Sequence, residues 1–202
     1  MTAKPMILGE VLNKWTGFLI PERYETCFRH SRILALTMPP NWVVAIAGMR
    51  SDIHTMRIRQ AISTDLDAVK SCANEAYAKY VQRIGKKPAP MIADFAAQIA
   101  AEIVHVMVDD GSVLGFIVLY PRDDHVHIEN VAVFPEQIGR GIGGELLAFA
   151  EHEARRLELP AVELYTNEKM TENLSIYPYL GFQEIGRRKQ AGFSRVYFRK
   201  NV

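Results

Sequence analysis

The chain has 202 residues, 49% hydrophobic and 23% charged, and its 24 Lys and Arg against 23 Asp and Glu leave a formal net charge of +1. One globular domain, with or without an extension, fits that length and composition. So even a charge balance leaves no basic stripe for nucleic acid or an anionic membrane surface, Cys27 and Cys72 form neither a disulfide framework nor a metal spacing, and the longest apolar run, Trp42 to Ala47, is too short to cross a bilayer.

Met6-Ile7-Leu8 is broken by Gly9-Glu10 before a secretory apolar core can form, so a reducing cytoplasm is the expected compartment. Residues 1–55 carry a candidate short helix near Glu10 to Leu19, the break Pro39-Pro40-Asn41 and a brief apolar segment, with no sustained period of 2 or 3.6. They read as an N-terminal extension, dispensable for fold and catalysis, with Met56 at the boundary as an expected alternative start of the natural product. The competing expectation is that Trp15, Phe18, Trp42, Val43 and Val44 pack on the domain or on a second subunit, which keeps a homodimer open.

From Met56 the signals sharpen. Arg57 to Ile62 alternates like a strand, and Ser63-Thr64-Asp65 with Asp67 supplies N-cap chemistry for a helix whose apolar face is Leu66, Val69, Ala73, Ala76, Tyr77 and Tyr80. Lys86 to Pro90 is a loop, and Ile92 to Glu102 a second helix. Two strands, Ile103 to Val108 and Val113 to Tyr120, flank the hairpin signal Asp109-Asp110-Gly111-Ser112. Pro121 to Asp124 turns into a strand from His125 to Phe134. A helix from Gly141 to Glu158 buries Leu146, Ala150, Ala154 and Leu157 before Pro160. A strand at Ala161 to Thr166, a helix at Thr171 to Leu180 and strands at Phe182 to Arg187 and Arg195 to Arg199 complete the order βααβββαβαββ.

The chain is organised around Val131-Ala132-Val133, then Pro135, then Gly139-Arg140-Gly141-Ile142-Gly143-Gly144 at the start of a helix. Glycines let the backbone approach a ligand closely, and the helix start offers unpaired N–H groups at its positive end, which together make a phosphate site. Gly139, Gly141 and Gly144 satisfy the dinucleotide pattern G-x-G-x-x-G, but Pro135-Glu136-Gln137 separates them from the strand that should run straight into them. No Gly-Lys-Ser/Thr follows, which excludes the nucleoside-triphosphate loop.

This strand, proline and glycine-rich helix start resemble the acyl-CoA loop of the GNAT superfamily of N-acyltransferases, and Tyr177-Pro178-Tyr179-Leu180-Gly181-Phe182 resembles that family's Tyr-x-x-x-Gly-Phe segment. Two positions depart from the pattern: Ile138 stands where Gln or Arg usually precedes the first glycine, and Met170 and Asn173 stand where Asn and Ala are usual. The resemblance spans residues 56–202 and implies an α+β fold with a mixed, mostly antiparallel sheet. It also implies acetyl-CoA as cosubstrate, no metal, and transfer of the acetyl group to a small-molecule or peptide amine. Pantetheine is expected on the backbone of Val131, Ala132 and Val133, where this strand diverges from the one at Ala161. The pyrophosphate is expected on the N–H groups of Gly139, Arg140, Gly141, Ile142, Gly143 and Gly144, with an amide contact from Asn173 or Asn167.

The same resemblance makes Tyr177 the general acid that protonates the departing thiolate, and a main-chain N–H of the Val131 strand the oxyanion donor. An ammonium has no lone pair with which to attack, so a base is needed. The resemblance makes Glu129 the first choice, since several GNAT enzymes use a carboxylate on this strand as base, directly or through water; strand alternation puts it on one face with Val131 and Val133 unless a bulge intervenes, and Glu163 on the next strand is the second. His125 and His127 form H-x-H without a third ligand at a metal spacing, and Cys72 falls on an apolar helix face, against a covalent acyl-cysteine. The rival readings are a noncatalytic acyl-CoA sensor and a nucleotide-binding dehydrogenase.

Overall fold

The structure, a computed structural model, describes residues 56–202, and the expectations for residues 1–55 lie outside it. Seven strands form one sheet: β1 (Arg57–Gln60), β2 (Val104–Asp109), β3 (Ser112–Arg122), β4 (His125–Val133), β5 (Ala161–Asn167), β6 (Gln183–Gln190) and β7 (Phe193–Asn201). Their order across the sheet is 1-2-3-4-5-7-6, with every neighbouring pair antiparallel except β4 and β5. The helices are α1 (Leu66–Ile84), α2 (Phe95–Ala100), α3 (Ile142–Arg156) and α4 (Thr171–Tyr179). This is the expected α+β order and a mixed, mostly antiparallel sheet.

Period-2 alternation builds two cores from the same strands. Val104, Val106 and Val108 of β2 with Phe116 and Val118 of β3 pack on Val69, Cys72 and Ala73 of α1 and on Phe95 and Ile99 of α2. On the other face Ile117, Val126, Ile128, Val162 and Leu164 pack on Leu146, Ala150 and Ala154 of α3 and on Tyr177 of α4. Each fully buried aliphatic side chain of this kind contributes about 1.5–3 kcal/mol of transfer free energy.

Several local expectations are corrected. Asp65 does not cap α1: its carboxylate accepts from Arg59 at 2.6 and 2.9 Å and from the Ile62 N–H at 2.8 Å, closing the turn before the helix. The second helix starts at Phe95, because Asp94 caps it through the Ala97 N–H, and Ala89–Ile92 forms a separate 3-10 turn. β3 continues through Pro121 to Arg122, beyond the last β2 pairing at Val118, so a residue without an N–H sits where β3 has outrun its neighbour. α3 ends at Arg156 and leaves Leu157 exposed rather than buried. The last hairpin is longer than expected, with β6 reaching Gln190 and β7 starting at Phe193.

Candidate active site

The pairing of β4 with β5 is short, from Val126 with Val162 to Ile128 with Leu164. Beyond Ile128, β4 keeps β3 as its neighbour up to Val133 and has no β5 partner. Strands that part leave backbone N–H and C=O groups without a ladder partner, which suits a ligand carrying amides of its own. A cavity of ≈ 100 Å³ opens at the parting, lined by Glu129, Asn130, Tyr165, Thr166, Asn173 and Tyr177 among others.

A bulge sets the direction of Glu129. Val118 pairs with Asn130 and Leu119 with Ile128, leaving Glu129 as the extra residue on β4. Val126 and Ile128 before it, and Val131 and Val133 after it, all pack in the α3 core, whereas Ala132 belongs to the α1 core. The expected common face of Glu129, Val131 and Val133 is therefore wrong, because the bulge reverses the alternation. Glu129 lies on the face of His127 and Tyr165: the Tyr165 hydroxyl donates to its Oε1 at 2.7 Å, Tyr120 donates to its Oε2 at 3.1 Å, and His127 Nε2 lies 3.5 Å away. Donation from His127, with Tyr165 and Tyr120, holds the carboxyl well below the usual range, at about 2, while partial burial opposes the shift.

Glu163 has a different setting. Arg199 donates to it at 2.6 Å, His125 lies 3.5 Å away, and it does not line the cavity. Tyr177 lies in the α3 core against Phe198 and Phe182, at ring separations of 5.4 and 5.9 Å, and reaches the cavity. Its hydroxyl makes no hydrogen bond to a described residue, and burial raises its pKa, so it stays protonated at neutral pH. Asn173 also lines the cavity, but its Nδ2 already donates to Thr166 Oγ1 at 2.9 Å and to Met170 Sδ at 3.8 Å.

The glycine loop follows β4 through the 3-10 turn Pro135–Gln137. Gly139 and Gly141 sit at φ 90° and 81°, left-handed conformations that disfavour other residues, and Gly141 is the N-cap of α3. Glu145 donates its N–H back to the Gly141 carbonyl at 3.1 Å, so the amides of Ile142, Gly143 and Gly144 before it face out of the helix end. A Cβ added at Gly139, Gly141 or Gly144 would meet no atom within 4 Å, and one at Gly143 only Val133 Cγ2 at 3.8 Å. This open cradle fits a pyrophosphate. The Arg140 side chain turns away from it, donating to Gln137 and lying 3.6 Å from Asp109, while Ile138 is exposed.

The model of the Acetyltransferase (GNAT) family matches residues 69–182, more than half of the chain. The chain belongs to the GNAT acetyltransferase family. The aminoalkylphosphonate N-acetyltransferase of Salmonella typhimurium is 33% identical to this GNAT chain over 99 residues, covering 45% of the chain and 64% of that relative, so the match spans less than two thirds of the relative's length. Two solved structures share the fold. The PaiA N-acetyltransferase of Thermoplasma acidophilum, in complex with coenzyme A, has a TM-score of 0.62 at 18% identity, over 73% of this chain and 99% of that one. The ribosomal-protein-S18-alanine N-acetyltransferase of Escherichia coli has a TM-score of 0.59 at 18% identity, over 73% and 94%.

Sequence reasoning missed several groups around this GNAT cavity. The Tyr77 hydroxyl of α1 lies 2.6 Å from Asn130 Oδ1 and 3.1 Å from the Val131 carbonyl, so one of the expected backbone groups already has a partner. Arg195, on β7 opposite Asn167, also lines the cavity. Tyr77 was legible only as part of an apolar helix face, and Arg195 only as one of the alternating Arg195, Tyr197 and Arg199.

Proposed function

We propose that this GNAT protein moves an acetyl group from acetyl-CoA to a small-molecule primary amine, by direct attack within a ternary complex. The observation that carries the reading is the parting of β4 from β5, where Glu129 and Tyr177 line one cavity and the glycine cradle follows on the same strand. Likeness to a chain solved with coenzyme A, and to a relative named for an aminoalkylphosphonate acceptor, supports the cosubstrate and a small amine.

In this reading the N–H groups of Gly139 and of Gly141 to Gly144 hold the pyrophosphate, that of Arg140 being already turned to the Gln137 carbonyl at 3.4 Å, and the Val131 to Val133 backbone holds the pantetheine. Asn173 contributes its side-chain carbonyl oxygen, since its Nδ2 already donates to Thr166 and Met170. Glu129 attracts the substrate ammonium and accepts one proton, which frees the lone pair. A carboxylate held at about 2 passes that proton on to water rather than retaining it. The nitrogen then forms its bond to the acetyl carbon, a main-chain N–H of the β4 strand holds the developing oxyanion, and the carbon–sulfur bond breaks. Tyr177 gives its proton to the departing thiolate, and the nitrogen loses its second proton to solvent.

A covalent acyl-cysteine route has no support at Cys72, whose thiol is buried and pushed up to about 12 by burial, with Glu75 and Glu136 adding to the shift. The proposed compartment is the cytoplasm, in keeping with that free thiol. No described helix is long and apolar enough to cross a membrane. A screen of amines for acetyl-CoA-dependent thiol release tests the reading. Release driven by particular amines supports it, whereas acetyl-CoA binding with no amine-dependent release would make the protein an acyl-CoA sensor.

A further inference from the structure

Among the described residues Arg195 is the only cation lining the active-site cavity, and it has no carboxylate of those residues within ion-pair distance. That sets it apart from Arg199 on the same strand, which is held by Glu163 at 2.6 Å and Asp124 at 2.9 Å. Arg195 is nonetheless fixed in place. Its guanidinium carbon lies 3.9 Å from the centre of the Tyr165 ring, and Nη1 donates to Gln190 Oε1 at 3.0 Å, which uses one of five N–H donors. An arginine whose stem is ordered and whose fork remains open is prepared for a planar or tetrahedral oxyanion, because the entropy of ordering it is already lost in the free protein.

The opposite charge stands at the hydroxyl end of the same ring. The Tyr165 hydroxyl donates to Glu129 at 2.7 Å while the Arg195 guanidinium lies over the ring face, so one tyrosine touches both an ionised carboxylate and an open guanidinium, and all three groups line one cavity. The register explains the alignment: Arg195 is opposite Asn167 and Tyr197 opposite Tyr165, which puts Arg195, Tyr165 and Glu163 on the sheet face away from the α3 core. A neutral amine would satisfy only the carboxylate and would bring an unpaired arginine into a cavity closed by substrate, at a desolvation cost.

Resting on the acetyl-transfer reading above, we infer that the acceptor is a short zwitterion, whose ammonium sits at Glu129 and whose phosphonate, carboxylate or sulfonate sits on Arg195. Tyr165 sets the spacing between the two charged ends. Gln190, at the end of β6, is a positioning residue that holds the guanidinium.

The test compares kcat/KM for 2-aminoethylphosphonate, β-alanine, taurine and the neutral ethanolamine, in wild type, Arg195→Gln and Arg195→Lys. Wild type is expected to favour at least one anionic amine over ethanolamine by roughly 10- to 100-fold, mostly through KM, the range for a charge-assisted hydrogen-bonded contact. Arg195→Gln should collapse that ratio towards one and Arg195→Lys should keep part of it, with acetyl-CoA affinity measured alongside as the check on folding. The three anionic heads separate a phosphonate from an amino-acid or sulfonate acceptor. Transfer to ethanolamine as efficient as to every anionic amine, or discrimination that survives in Arg195→Gln, would overturn the inference while leaving acetyl transfer intact. Transfer to no amine at all would remove both. Should Arg195→Gln fail to fold, the wild-type panel alone decides.

Discussion

The Tyr165 hydroxyl donates to Glu129 at 2.7 Å across the gap where β5 leaves β4, tying the one extra residue of the β4 bulge to the neighbouring strand. With His127 and Tyr120, this bond holds the Glu129 carboxyl at about 2. A depressed folded-state value contributes stability that is fully present above the unfolded carboxylate pKa, about 4.3, and is lost as pH falls towards the folded value. Tyr165→Phe removes a donor to the charged form, so the Glu129 pKa should rise, read by NMR titration of the side-chain carboxyl carbon. An unchanged value would show that Tyr165 does not set it.

The same low value shapes the pH–rate profile. Glu129→Gln should lower kcat by roughly 10²-fold, the range for a lost proton acceptor. The acid limb of kcat/KM above pH 4 should keep its position, because Glu129 is already ionised there. A limb present in wild type and absent from Glu129→Gln would mean that the carboxyl titrates near neutrality when substrate is bound.

Tyr177→Phe should lower kcat by roughly 10²-fold and leave acetyl-CoA affinity nearly intact, since the ring packing on Phe182 and Phe198 is kept and only the proton is lost. Kinetics and calorimetry on the same preparation check this. A wild-type kcat would reduce Tyr177 to a core aromatic.

Gly141→Val should weaken acetyl-CoA binding by at least about tenfold. The added side chain meets no protein atom, so the effect arises from a β-branched residue at φ 81° and from the space it takes in the cradle. Titration calorimetry on the folded variant decides, and unchanged affinity would remove the pyrophosphate from this loop.

How far the sequence could be read depended on whether a signal was local. The glycine loop, the Tyr177 segment and the alternating strands depend on residues close in sequence, and the structure has the corresponding elements in the expected order. The direction of Glu129 was illegible, because a bulge is fixed by pairing with β3 and leaves no mark in His125 to Val133. Tyr77 meets Asn130 across 53 residues, and Arg195 meets Tyr165 across two paired strands, so neither contact has a local signature. Pro121 reads as a turn by its chemistry, yet it sits in β3 because that strand extends past its neighbour.

Residues 1–55 are proposed to be dispensable for fold and catalysis, because the family-like elements from Arg57 onward form a seven-stranded sheet among the described residues. A chain starting at Met56 should keep its melting temperature within about 5 °C and its acetyl-CoA affinity. Insolubility or a larger fall would show that the extension belongs to the core.

The central claim is direct transfer from acetyl-CoA to the amine at the parting of β4 and β5. Initial velocities measured while both substrates are varied test it most directly, with the best acceptor from the amine panel. The account predicts intersecting double-reciprocal lines, the signature of a ternary complex, whereas parallel lines with an acetylated enzyme detected by intact mass would contradict it.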